Sequence, residues 1–145
     1  MSAEENKAIV RRMIEDAWNK GNMAVVDEIV PTSYIGHDPS YPMPIQGPEG
    51  FKQWVSIARA AFPDFQITVE DMIAEGDKVV GRISIRGTNT GSLMGMPPTG
   101  KQVAFPGIFI RRFAGGKFVE GWDVNDAMSL MQQLGVIPTP GQGGS

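Results

Sequence analysis

Residues 65–90, FQITVEDMIAEGDKVVGRISIRGTNT, decide the fold class. Phe65, Ile67 and Val69 alternate with polar residues, Glu75-Gly76-Asp77 turns the chain, and Val79, Gly81, Ile83 and Ile85 alternate against Val80, Arg82, Ser84 and Arg86. A period of two on both sides of a turn predicts two antiparallel strands, each with one buried face. Arg82 and Arg86 share the polar face, which is expected to be solvated or to lie at a subunit interface. Downstream, GSLMGMPPTG at 91–100 reads as a loop and a flexible lip. Residues 101–113 read as another strand, Ala114-Gly115-Gly116 as a tight turn, and 117 to about 124 as the antiparallel return. A helix from about 126 to 134 follows, with Asp126 as its cap and Gly135 as its stop.

Upstream of residue 65 the period is helical. Ser2-Ala3-Glu4-Glu5 has capping-box spacing, and Ile9, Val10, Met13, Ile14, Ala17 and Trp18 form one apolar stripe that Gly21 ends. Asn22 caps a short second helix through Ile29, limited by Pro31. Residues 34–47 carry three prolines and read as a short extended piece followed by an irregular loop. Pro48 suits a first helical position, and Phe51, Trp54, Val55, Ala58 and Phe62 supply the next apolar face before Pro63. Helices first and antiparallel strands afterwards predict an α+β fold with helices on one face of the sheet. Residues 1–135 are expected to form one domain and 136–145 a flexible tail rich in Pro and Gly.

Composition narrows the chemistry. The 145 residues are 41% hydrophobic and 20% charged with a net charge of -3, so no basic surplus exists to neutralise nucleic-acid phosphates or an anionic membrane face. With no cysteine and one histidine, thiol nucleophiles, disulfides, thiolate zinc sites and multi-imidazole metal sites drop out. No Walker loop, dinucleotide glycine motif or serine elbow is present. The expectation is a chain without cofactor or metal, without a membrane span, and cytoplasmic.

A long twisted sheet curled around helices leaves an apolar hollow, the default site. Strand alternation puts Glu120, Trp122 and Val124 on one face of the last strand, and Val119, Gly121 and Asp123 on the other. An aspartate near a strand end among Phe, Met and Trp would be desolvated, which raises its pKa and suits it to general acid/base work; a solvated edge carboxylate is the plain alternative. His37, entering a proline-rich loop, either hydrogen-bonds a substrate oxygen or the Asp123 carboxylate, or is structural. Trp18, Tyr34, Trp54, Met94, Phe105, Phe109 and Trp122 are expected around the pocket, although each serves equally well in a core.

Several segments together resemble the SnoaL-like polyketide cyclase family of the NTF2-like superfamily: ENKAIVRRMIEDAWNKGN, the HDP at residues 37–39, GPEGFKQWV, the run from Ala60 to Gly91, GMPPTGK, and GKFVEGWDVNDAMSLMQQLG. The resemblance spans residues 5 to 135. It implies a cone formed by a curved antiparallel sheet and helices, commonly dimeric, with cofactor-free chemistry inside. It also implies that Asp123, after the tryptophan of the last strand, removes a proton next to a carbonyl so that the carbanion closes a ring by aldol addition; beside that role, His37 is expected to donate a hydrogen bond to the enolate oxygen. The expected ligand is a small hydrophobic carbonyl compound, a polyketide-like ester, and the expected assembly a homodimer. The chain departs from the family's aromatic ester cyclases, which carry a histidine just before that tryptophan and polar residues on the preceding strand; those places fall on Gly121 and near Gly107 and Phe109. Isomerisation is the nearby variant of ring closure, and two other readings stay open. One is a binding module that catalyses nothing. The other is epoxide hydrolysis by Asp123, Arg82 and either Asp71 or Asp38.

Overall fold

The computed structural model describes residues 2–139. Helix α1 (Ala3–Arg12) starts on the predicted capping box, with Ser2 Oγ accepting from Glu5 N and Glu5 reaching back to Ser2 N. It was expected to run regularly toward Gly21, but it passes into a π-helical segment, Met13–Trp18. That wider turn, marked by the Asn19 N to Ile14 O bond, lets Met13, Ile14, Ala17 and Trp18 all bury. Two side chains lock its end. Arg59 Nη1 donates to the carbonyls of Trp18 and Asn19 at 2.8 and 3.1 Å, satisfying carbonyls that a helix end leaves open. The Asn19 side chain pairs with both backbone groups of Ile67, tying this end to the sheet.

Helix α2 (Ala24–Ile29) leads to strand β1 (Ile35–His37), strand β2 (Ile45–Gln46) and helix α3 (Gly47–Ala61), which carries Pro48 in its first turn. β2 lies inside the stretch read as irregular loop; two residues are too few for a period to register. The long strands follow: β3 (Gln66–Glu75), β4 (Lys78–Thr88), β5 (Gln102–Ala114) and β6 (Lys117–Asn125). Helix α4 (Ala127–Leu134) is capped by Asp126, whose Oδ1 accepts from Ser129 N, and ends at Gly135 in a left-handed conformation. Of the expected tail, residues 140–145 lie outside the described residues.

The six strands form one curved, unclosed sheet in the order β2-β1-β6-β5-β4-β3. All neighbours are antiparallel except β1 and β6, which run parallel. An antiparallel sheet was expected; the chain leaves β1 for β2, α3 and three further strands before β6 returns beside it, and that long connection permits parallel pairing. Two bulges re-aim the strands. One falls between Val69 and Asp71, the other opposite Arg112 and Phe113. The second corrects the reading of Val119: Phe113 pairs with Phe118 and Arg112 with Glu120, so Val119 is the extra residue, and Phe118 turns inward with Gly121 and Asp123.

On the helix side an aromatic cluster closes the core. Trp18 meets Trp54 edge to face with ring centroids 4.7 Å apart, and Phe51 meets Trp54 likewise at 5.3 Å.

Candidate functional site

A cavity of about 170 Å³ opens between the helices and the concave face of the sheet. Val10, Met13, Ile14, Trp18 and Trp54 line it from the helices, and Ile83, Ile85, Phe105 and Phe109 from the strands. Its polar wall is short: Asp38, Ser40, Tyr41, Arg111, Asp123 and Asn125. Few convergent polar groups in an apolar hollow are the usual make-up of a small-molecule site.

Asp123 is 7% exposed and Arg111 5%. They form a bidentate ion pair, with Nη1 donating to Oδ1 at 2.6 Å and Nη2 to Oδ2 at 3.0 Å. Nη1 also donates to the Ile110 carbonyl. The guanidinium is boxed by the rings of Phe109, Phe118 and Trp54, whose centroids lie 4.9, 5.7 and 6.0 Å away. Burial lifts the Asp123 carboxyl above the ordinary aspartate value, opposed by the charge and hydrogen bonds of Arg111 and reinforced by the neighbouring negative charge of Asp38. Burial works against the Arg111 charge, but the Asp123 carboxylate more than restores it, so the guanidinium stays protonated.

Glycines make the room for this arrangement. Arg111 stands opposite Gly121 across β5 and β6, and a Cβ at Gly121 would come within 2.9 Å of Arg111 Nη1 and 2.4 Å of Tyr34 Oη. A Cβ at Gly107 would lie 2.0 Å from Asn125 Oδ1. So where the sequence departs from the family's aromatic ester cyclases, at Gly121 and Gly107, the space is taken by Arg111 and Asn125 from the adjoining strands. Sequence reasoning missed both. The parity of β5 could have found Arg111, since Val103, Phe109, Arg111 and Phe113 are all buried on one side, and a charge in an inward position demands a partner.

Of the expected pocket residues, Trp18, Trp54, Met94, Phe105 and Phe109 line the cavity together with Asp123. Three expected site residues do not. His37 points to the outer face, where Nε2 lies 2.9 Å from Glu120 Oε2 and the side chain is 44% exposed. Trp122 stacks on that imidazole at 5.7 Å between centroids. Both belong to the outward parity, as the pairing of His37 with Trp122 across β1 and β6 requires. Tyr34 is buried, and its hydroxyl has no hydrogen-bond partner among the described residues. Asp38, next to His37 and of opposite parity, is the member of that motif that reaches the cavity. Arg82 pairs with Asp71 on the outer face, both largely exposed, so the epoxide-type cluster does not assemble around those two residues.

Hydrogen bonds anchor the lip at 91–100 near both of its ends. Buried Asn89 donates to the carbonyls of Ala61 and Gly91 and accepts from Thr99 N and Oγ1. Leu93 and Met96 exchange backbone bonds around Met94 and Gly95, and Met94 takes a left-handed φ of 47° at the rim of the cavity. Among the described residues no group of three His, Cys, Asp or Glu side chains could hold a metal ion, and no helix is long and apolar enough to cross a membrane.

The family model for SnoaL-like polyketide cyclase matches residues 8–134. The chain is 31% identical over 140 residues to aklanonic acid methyl ester cyclase DnrD of Streptomyces peucetius, covering 91% of this chain and 92% of that one. It is 30% identical over 120 residues to nogalonic acid methyl ester cyclase of Streptomyces nogalater, covering 82% and 90%. A SnoaL-like structure from Jannaschia sp. CCS1 superposes with a TM-score of 0.85 over 94% of this chain and 95% of that one, at 24% identity, which shows the shared fold.

Proposed function

The chain belongs to the SnoaL-like polyketide cyclase family and is a polyketide cyclase-like enzyme, and from that premise we propose that it closes a ring in a polyketide-like ester, with Asp123 as general acid/base and Arg111 as the donor to the enolate oxygen. The observation that carries the reading is the buried Arg111–Asp123 pair on the wall of an otherwise apolar cavity. A carboxylate lifted by burial is a stronger base than one in water. It takes a proton from the carbon beside a carbonyl, and the electron pair of that C–H bond moves onto the carbonyl oxygen. Three of the five N–H donors of the guanidinium are engaged among the described residues, so two are left to stabilise that oxygen. The enolate carbon then attacks a second carbonyl of the same molecule. Its oxygen recovers the proton from Asp123, which leaves the carboxylate as it began. In this reading side chains supply all the chemistry, and Arg111 takes the role the sequence assigned to His37.

Deuterium exchange tests the first step apart from ring closure. With an aromatic β-keto methyl ester in heavy water, the enzyme is expected to speed incorporation at the carbon between the carbonyls, and Asp123→Asn to lose that acceleration. Exchange that persists in the variant contradicts the proposal.

The homodimer is also proposed, with a second copy on the outer sheet face. Ile73, Val80, Ile110 and Trp122 lie in register across four strands there, with Ile108 and Val124 in the adjoining row. Lys78, Arg112 and Glu120 follow on the other side, both charge signs within one row, which suits pairing with a copy of itself. Trp122→Glu is expected to yield monomers by sedimentation; an unchanged mass contradicts this arrangement.

A further inference from the structure

We propose that Asp38 determines ligand specificity: facing the cavity beside the Arg111–Asp123 pair, it excludes molecules with a free carboxylate and reserves the site for uncharged esters. The proposal rests on the reading that this cavity holds the substrate. Parity brings Asp38 there. Tyr34 and Gly36 are buried, Ile35 and His37 point outward, and Asp38 continues the inward series. Gly36 pairs with Gly121 and His37 with Trp122, so Asp38, the first residue after β1, follows on one side and Asp123 of β6 on the other. Two carboxylates therefore share one cavity wall.

The charge balance of that wall gives the residue its consequence. Arg111 is its one cation among the described residues, and Asp123 already grips it through two bonds. Asp38 has no salt bridge among the described residues. Its Oδ1 accepts from Ser40 N at 2.9 Å and Ser40 Oγ at 2.7 Å, which holds the carboxylate in place while leaving its charge uncompensated. The field of Asp38 also reaches Arg111 and Asp123. An entering carboxylate would find the Arg111 charge already offset by Asp123 and would be repelled by the partly exposed Asp38 carboxylate, a penalty of about tenfold in affinity. A methyl ester of the same shape meets neither obstacle.

Methyl 2-naphthoate and 2-naphthoate make the test pair, their binding followed by calorimetry at neutral pH with the intact enzyme and with Asp38→Asn. Asparagine keeps the acceptor for Ser40, so the turn survives, and circular dichroism checks the fold. The variant is expected to bind the acid about tenfold more tightly than the wild type, with ester affinity unchanged within about twofold. Added salt is expected to strengthen acid binding to the wild type and to leave the variant indifferent. An ester-to-acid ratio that is the same in both proteins overturns the proposal, as does failure of the ester to bind. Loss of the acid/base role of Asp123 would appear in turnover and exchange and leave this binding ratio untouched, so the two failures are distinguishable.

Discussion

Arg111 occupies the space that a side chain at Gly121 would need: the two residues are Cα partners on adjacent strands, and the guanidinium nitrogen lies 2.9 Å from where a Cβ would stand. Gly121→Ala is therefore expected to push the guanidinium off Asp123 and to press on Tyr34 Oη at 2.4 Å. Thermal denaturation should show a loss of about 1–3 kcal/mol, the usual cost of overpacking. An unchanged midpoint would mean that the pair has slack the geometry does not show.

Arg111→Met leaves a buried carboxylate without its cation. The expected loss is about 3–5 kcal/mol in chemical denaturation, and Arg111→Met with Asp123→Leu should recover much of it, because an apolar pair of similar volume has no charge to desolvate. If the double variant is no more stable than the single one, the pair contributes to packing in a way unrelated to charge.

Tyr34 is 1% exposed, and its hydroxyl has no hydrogen-bond partner among the described residues. Tyr34→Phe is expected to cost nothing near neutral pH and to stabilise by up to about 1 kcal/mol, since no bond is lost and a desolvated hydroxyl is removed. Burial also pushes the Tyr34 pKa up to about 12 from 10.0. Between those values the unfolded chain releases the proton while the folded chain keeps it, so stability falls as pH rises through that window, by about 1.4 kcal/mol per pH unit at most. The Phe variant should lack this part of the alkaline loss. Parallel pH curves for the two proteins would contradict the assignment.

His37 was the natural partner for Asp123 on sequence grounds, and strand parity is what removes it. Its hydrogen bond holds the Glu120 carboxyl below the usual range, with Arg112 adding to the effect, all on the outer face. His37→Ala is expected to leave turnover and ligand affinity within about twofold of wild type, because the imidazole faces away from the cavity. A large fall in turnover would put the imidazole back into the mechanism.

Most of the fold was legible because it is written in periods. The switch from 3.6 to 2 near Phe65, the capping box at Ser2, the Asp126 cap and the glycine turns are local signals, and helices and long strands appear where those signals lie. The two-residue strand β2, the bulge at Val119 and the parallel pairing of β1 are set by contacts between distant segments, which no window of sequence contains. The site divides in the same way. Asp123 and most of the apolar wall follow from alternation within one element. Arg111 and Asp38 also sit at inward parities, but their meaning depends on which strand lies beside β6, and that is tertiary information. Local pattern identified the aspartate and missed the cation that holds it.

The most direct measurement is ring closure of an aromatic polyketide methyl ester by Asp123→Asn, with near-UV circular dichroism showing the variant folded. Asparagine retains the oxygen that faces Arg111 but cannot take a proton. Turnover is expected to fall about 100-fold or more while ester affinity holds, which is the scale of a lost general acid/base. Turnover equal to wild type in a folded variant would contradict the account.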